Sequence, residues 1–109
     1  MPLLQTPEFV QALRLWQEGQ FWEVHEALEP LWKRLRGPQR ELVQGVILLA
    51  ASLHQARLNP KGGWRNFHKA LRHLEGLPER FEGVRLEPLI GEVRRALENP
   101  QQPPGFPLG

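Results

Sequence analysis

The sequence predicts an all-α fold, a single-domain bundle of about five helices around a central apolar helix near residues 38–58. Apolar residues recur at helical spacing in almost every segment, and no stretch alternates polar and apolar residues over the length of a strand. Glycine and proline separate the periodic segments. At 109 residues the chain has the size of one domain. We expect a helical domain at residues 1–98 and a proline-rich C-terminal tail at 99–109.

The first two helices have recognisable boundaries. Thr6 and Pro7 combine a capping hydroxyl with a proline in the first turn, and Gly19 ends the first helix. The second helix is expected over residues 20–36. Pro30 lies inside it, where the ring removes a backbone donor and clashes with the carbonyl of the preceding turn. We therefore expect the second helix to kink or restart at this residue.

The third helix is the centre of the predicted bundle. It is apolar nearly all round between residues 43 and 53, which indicates that neighbours cover it on most sides. Residues 59–63 contain a proline and two glycines and are expected to form a turn. The fourth helix should then start near Trp64.

The last part of the chain is expected to be less regular. Residues 79–85 should form a short link with about one helical turn. Glu87 and Pro88 are typical of a helix start, so a fifth helix follows. From Pro100 onward, proline, glutamine and glycine predict an extended or disordered tail.

The composition excludes several kinds of site. The chain has no Cys, no Tyr and no Asp, all 12 acidic residues are Glu, and Ser52 is the single serine. Disulfides, Cys-ligated zinc, thiol nucleophiles and EF-hand calcium loops are therefore excluded. Any reaction must be carried by Glu, His, Arg or Lys.

The sequence also predicts where in the cell the protein is located and how its charge is to be interpreted. The start of the chain lacks the features of a signal peptide, and the longest apolar run, residues 46–53, is too short to span a membrane. We expect a cytoplasmic protein with no membrane partner. The abundance of Glu, Arg and Pro resembles that of thermophile proteins. The pI of about 9.7 reflects the missing Asp, Tyr and Cys more than the formal net charge of +2.

Polar residues interrupt the apolar pattern on two consecutive helices. His25 and Glu29 are four residues apart on the second helix and share a face. Gln44 and His54, on the third helix, lie near one face of that helix. A short connection makes the two helices antiparallel neighbours. These four side chains are therefore expected to lie near the interface between the two helices.

Two hypotheses follow for this cluster. The favoured one is a polar network that joins the two helices, in a protein that acts through a protein partner or as a homo-oligomer, with no cofactor. The alternative is a divalent-metal-dependent hydrolase or lyase-like site. In that case His25, Glu29 and His54 would be the ligands, and Glu26 would be the general base. Whether the protein is an enzyme stays open at this stage.

A basic stripe supplies a third hypothesis. Five cations follow one another at roughly helical spacing: Arg57, Lys61, Arg65, Lys69 and Arg72. Such a stripe can bind the phosphates of a nucleic acid. Because the net charge is small, we favour a solvated face, and nucleic acid is not the expected partner.

Two blocks of the sequence resemble a known family. Residues 21–32 (FWEVHEALEPLW) and 44–50 (QGVILLA) are similar to signatures of the small helical proteins called the domain of unknown function 309 family. The resemblance covers roughly residues 15–97, and Pro30 departs from it. It implies a helical bundle and no established activity. The family's characteristic positions correspond here to His25, Glu26, Glu29, Trp32, Gln44 and His54.

Overall fold

The computed structural model describes residues 2–109 and consists of five α-helices with one small hairpin before the last helix. After a 3₁₀ turn at Leu3–Gln5, the elements are α1 (Pro7–Gln17), α2 (Phe21–Arg34), α3 (Gly37–Ala56), α4 (Pro60–Leu74), β1 (Arg80–Phe81), β2 (Val84–Arg85) and α5 (Leu86–Glu98). The predicted all-α bundle of about five helices is therefore confirmed.

Helix α3 lies at the centre of the bundle. It packs against α2 and most extensively against α4, while α5 contacts both α3 and α4. Its buried apolar residues are Leu42, Val43, Val46, Ile47, Leu49, Ala50 and Leu53. This burial on several faces explains why the middle of α3 lacks a polar stripe. Within residues 2–109, no helix combines the length and apolar character needed to cross a membrane.

The ends of α1 and the course of α2 follow from local chemistry. The Thr6 hydroxyl accepts a hydrogen bond from the Phe9 N–H at 3.2 Å and caps α1. Gly19, with φ of 75°, makes the turn into α2. Helix α2 continues through Pro30 as one element, so the alternative of a restart is wrong. Pro30 is exposed, and the rest of α2 is held by its buried face.

Helix α4 begins earlier than its sequence predicts. The Asn59 side chain accepts a hydrogen bond from the Lys61 N–H at 3.1 Å, and the helix starts at Pro60. The turn expected at residues 59–63 is therefore wrong. Gly63 is buried inside the helix, where a Cβ would lie only 2.7 Å from the Cβ of Ala56. The glycine is needed for the close approach of α3 and α4, and not for a turn.

The link before α5 is a β-hairpin and not a helical turn. Phe81 pairs with Val84 and Arg80 with Arg85 in an antiparallel ladder. Glu82 and Gly83 both have positive φ, 54° and 81°, as the tightest hairpin turns require. Strands of two residues are too short to show an alternating pattern, so the periodicity gave no signal for them.

The segment after α5 is extended and packs along the bundle. The Trp16 indole N–H donates to the Pro104 carbonyl at 3.1 Å, and Pro104 is buried. The Phe106 ring packs edge-on against Trp16, with centroids 5.1 Å apart. Leu108 then forms a bridge with Val84 of the hairpin. These contacts connect the end of the chain to α1 and to the hairpin.

Candidate functional site

The predicted site residues all lie on α2 and α3. His25 and Glu29 are half-buried on α2, whereas Glu26, one residue after His25, is exposed. Gln44 and His54 are half-buried on α3. The two helices pack against each other, as expected from the short connection between them.

His25 and Glu29 form a pair within α2. The His25 Nε2 lies 3.5 Å from the Glu29 Oε2, and Lys33 approaches the other carboxylate oxygen at 3.8 Å. All three side chains are one helical turn apart, which is the spacing at which neighbours on a helix surface meet. The His25 Nδ1 is buried and accepts or donates no hydrogen bond among residues 2–109. The contact between His25 and Glu29 therefore lies on the surface of α2, and it does not connect α2 to α3.

Aromatic contacts join the two helices near the start of α2. The Trp22 ring lies edge-on to His25, with centroids 5.0 Å apart. The same indole contacts His54 of α3, with centroids 5.4 Å apart. Trp22 therefore lies between the two imidazoles, and 44% of its surface remains exposed. The exposed part of the Trp22 ring is an apolar surface, with the His25 and His54 imidazoles at its edge.

A second contact joins the opposite end of α2 to α3. The Arg40 guanidinium lies over the Trp32 ring, with its Cζ 4.3 Å from the ring centroid. This distance is well within the range of a cation–π interaction. Trp32, one of the predicted binding residues, is half-buried beneath it. We call the surface formed by Trp22, His25, Glu29, Trp32, Arg40 and His54 the α2–α3 patch.

The structure does not bring all the predicted site residues together. Among residues 2–109, no hydrogen bond links His25 or Glu29 to Gln44 or His54. The same residues contain no group of three or more His and Glu side chains that could hold a metal ion. A metal site formed by His25, Glu29 and His54 stays a hypothesis. The contacts that the structure gives between site residues of α2 and α3 are ring contacts, Trp22 with His54 and Trp32 with Arg40.

The charge of α2 reverses along its length. Its acidic residues come first and its cations last, in the order Glu23, Glu26, Glu29, Lys33 and Arg34. Arg34 also donates to Glu8 of α1, and this hydrogen bond holds the pKa of the Glu8 carboxyl below its ordinary value. Glu26 and Lys33, by contrast, are exposed beside the α2–α3 patch. The patch is therefore flanked by acid at one end and by base at the other.

Sequence reasoning missed two residues of the α2–α3 patch. Trp22 precedes His25 by three residues, which places both on one helix face, and this spacing was the available signal. Arg40 lies just beyond the short connection from Trp32, so an antiparallel pair of helices brings the two side chains close. Both residues resemble surface positions when each helix is considered alone. Their contacts arise only when the helices pack.

The basic stripe is located mainly on α4. Lys61, Arg65, Lys69 and Arg72 are all exposed, and none forms an ion pair with another residue in the described part of the chain. Arg57, at the end of α3, instead donates to the Gly19 carbonyl at 2.8 Å. A solvated basic face stays the expectation, and nucleic-acid binding through the stripe stays the alternative.

Two proteins of known sequence or structure are similar to this chain. A conserved hypothetical protein from Thermus thermophilus, solved by crystallography, has 48% sequence identity and a TM-score of 0.77. The match covers 86% of this chain and 99% of that protein. An uncharacterized protein from Aquifex aeolicus (strain VF5) is 31% identical over 90 residues, which is 81% of this chain. The chain spans only about a quarter (26%) of that relative's length.

A family model matches the part of the chain that contains the whole α2–α3 patch. The model is described as domain of unknown function (DUF309), and it matches residues 9–67, from α1 into α4. The matched region includes both helices of the patch and the whole of the central helix. This agrees with the resemblance of residues 21–32 and 44–50. The chain therefore belongs to the DUF309 family.

Proposed function

We propose that this protein is a non-enzymatic interaction module that pairs with a second copy of the same chain through the α2–α3 patch. The observation that carries the proposal is the partly exposed Trp22, held between two imidazoles on a helix whose charge reverses from end to end. A partly exposed tryptophan is among the side chains that most often dominate a protein interface once a partner covers it.

The residue types of the patch support protein binding. Tryptophan and arginine are the residues most enriched among those that dominate interface energies, and the patch contains two of the former and one of the latter. Leu58, four residues after His54, is 74% exposed and adds an apolar side chain just past the end of α3. The ring contacts hold Trp22 and Trp32 in place, so that little side-chain entropy is lost on binding.

The charge pattern favours a second copy as the occupant. When two identical helices pair antiparallel about a two-fold axis, the first half of each faces the second half of the other. Glu26 of one copy would then approach Lys33 of the other, and both side chains are exposed. Because the two copies are related by a two-fold axis, the contact between Glu26 and Lys33 would occur twice.

Sedimentation velocity over a range of protein concentrations tests the pairing. The unsubstituted chain is expected to show a monomer–dimer equilibrium. Trp22→Arg should weaken it by about thirtyfold or more, since central interface residues contribute about 2 kcal/mol or more. Val10→Arg is the matched control, because Val10 is 50% exposed on α1 and is not one of the patch residues. A chain that stays monomeric at every concentration overturns the proposal.

A charge reversal distinguishes a second copy from a different partner. Glu26→Lys and Lys33→Glu should each weaken the dimer, because each places like charges opposite one another. The double variant should recover it, since both charges are reversed in both copies. Circular dichroism checks that the helices are intact. If the double variant associates no better than the single ones, antiparallel self-pairing through α2 is wrong.

The location of the protein is part of the proposal. A chain with 40% hydrophobic and 24% charged residues has the composition of an ordinary globular protein, which supports a place in the cytoplasm. Cell fractionation followed by immunoblotting tests it, with the protein expected in the cytosolic fraction.

A further inference from the structure

A second candidate site lies away from the α2–α3 patch. A cavity of about 170 Å³ lies where the turn between α1 and α2, the ends of α3 and α5, and the C-terminal segment meet. Its walls are mostly apolar and include Phe21, Leu53, Ala96, Leu97 and Pro104. The C-terminal segment forms one side of this space through Pro103 and Pro104. The cavity therefore depends on elements from both ends of the chain.

One cation lines this mostly apolar cavity. The Arg57 guanidinium is held in place by a 2.8 Å hydrogen bond from its Nη2 to the Gly19 carbonyl. It also lies over the Phe21 ring, with the Cζ 5.2 Å from the ring centroid. Arg57 forms no ion pair with any acidic side chain of residues 2–109. Its remaining N–H donors are therefore available to an anion.

Gln102, in the C-terminal segment, is a second hydrogen-bond donor that lines the cavity. The Gln102 amide oxygen accepts a hydrogen bond from Arg95 at 3.0 Å, which fixes the orientation of the amide. With its oxygen engaged, the amide offers its NH₂ group as a donor. Arg95 also donates to the Pro103 carbonyl at 3.3 Å. Arg95 thus contacts both Gln102 and Pro103, two of the residues that line the cavity.

We infer that this cavity binds a small monocarboxylate whose apolar part is about the size of a benzene ring. A buried apolar cavity of about 150 Å³ accepts benzene, and the cavity here has a similar volume but opens to solvent beside Arg57 and Gln102. A carboxylate placed against Arg57 would gain charge-assisted hydrogen bonds, for which the planar guanidinium is well suited. The apolar walls would receive the ring or short chain. The inference is independent of self-pairing through the α2–α3 patch.

Titration calorimetry with phenylacetate tests the inference, and phenethyl alcohol is the uncharged probe of the same size. Phenylacetate should bind saturably, with the backbone amide signals of Leu53 and Leu97 shifting in NMR spectra. Arg57→Gln should weaken phenylacetate binding by about tenfold or more, because a hydrogen bond to a charged group is lost. The same substitution should leave binding of phenethyl alcohol nearly unchanged.

The matched control is Arg94→Gln. Arg94 lies over the Phe67 ring at 5.3 Å, a contact like that of Arg57 with Phe21, but it does not line the cavity. This variant should bind phenylacetate as the unsubstituted chain does. Ala96→Leu, which fills the cavity, should abolish binding of both probes. Either no saturable binding of phenylacetate, or equal binding by the Arg57→Gln and Arg94→Gln variants, overturns the inference.

Discussion

At the scale of single residues, the α2–α3 patch is assembled from pairs of side chains and not from one network. His25 contacts Glu29 on its own helix and the ring of Trp22 three residues earlier. Trp22 alone reaches across to His54. An imidazole that is 29% exposed and paired within its own helix contributes little to the free energy of unfolding. Near the start of α2, the Trp22 indole, and not the His25–Glu29 pair, makes the contact with α3.

Replacement of His25 tests whether its side chain belongs to a local, partly exposed pair or to a buried network. His25→Ala should lower the free energy of unfolding by less than about 1 kcal/mol, because a local, partly exposed pair is lost. Leu28→Ala, one turn further along α2, should lower it by about 2–5 kcal/mol, because Leu28 is fully buried. Urea denaturation of both variants gives the comparison. Equal losses would show that His25 belongs to a buried network after all.

At the scale of elements, the contact between α3 and α4 depends on how closely their backbones approach. Gly63 lies against Ala56 and the Ser52 carbonyl, with 2.7 Å and 3.0 Å available to an added Cβ. Gly45 is similarly covered by the Leu74 side chain. Glycine inside a helix normally weakens that helix. At Gly45 and Gly63 this loss of helix stability is accompanied by closer packing against the neighbouring helix. This explains why the glycines of α4 resemble a turn when the sequence is read alone.

A pair of glycine substitutions separates packing from propensity. Gly63→Ala should destabilise the protein by about 1–3 kcal/mol, because the methyl group forces α3 and α4 apart. Gly91→Ala, on α5, should stabilise it by about 0.5–1 kcal/mol, since nothing lies within 4 Å of the added Cβ. Thermal unfolding monitored by circular dichroism measures both. A stabilising Gly63→Ala would contradict the close packing described for α4.

At the scale of the whole molecule, the C-terminal segment is held to the bundle by an electrostatic contact as well as by rings. The Glu92 carboxylate accepts the Gly105 N–H at 2.7 Å and a hydrogen bond from Arg95 at 2.9 Å. The backbone hydrogen bond from Gly105, followed by that from Arg95, holds the pKa of Glu92 below its ordinary value of 4.5. The anchoring of the segment is therefore sensitive to acid.

The sign of this dependence gives a prediction. Because the pKa of Glu92 is lower in the folded state than in the unfolded state, its contribution is complete above the unfolded value. It is lost as the pH falls through the folded value. The Gly105 amide proton shift should titrate with a midpoint below 4.5, with hydrogen-exchange protection of residues 102–109 falling in parallel.

Substitutions on α5 identify the group responsible. Glu92→Gln should abolish the titration of the Gly105 amide and lower the protection of the C-terminal segment already at neutral pH. Glu98→Gln is the control, because Glu98 is an exposed carboxyl at the end of the same helix. A titration that persists in Glu92→Gln would assign the anchor to another carboxyl.

Much of the architecture follows from local patterns in the sequence. The spacing of apolar residues predicted five helices with α3 at the centre, and Thr6 and Gly19 marked the ends of α1. The positions of His25, Glu29 and His54 also indicated which two helices form the candidate site. These features are local, because helix periodicity and capping involve residues within a few positions of one another.

The sequence by itself therefore determined the fold class, the central helix and the family of this protein. Only the tertiary structure decided the early start of α4, the hairpin at Glu82 and Gly83, the cavity beside Arg57 and the role of Trp22. The physical reason is that the cavity, the role of Trp22 and the close packing at Gly63 depend on contacts between residues distant in the chain, while strands of two residues are too short to show a pattern. A glycine that permits close packing and a glycine that makes a turn are identical in sequence, and their surroundings alone distinguish them.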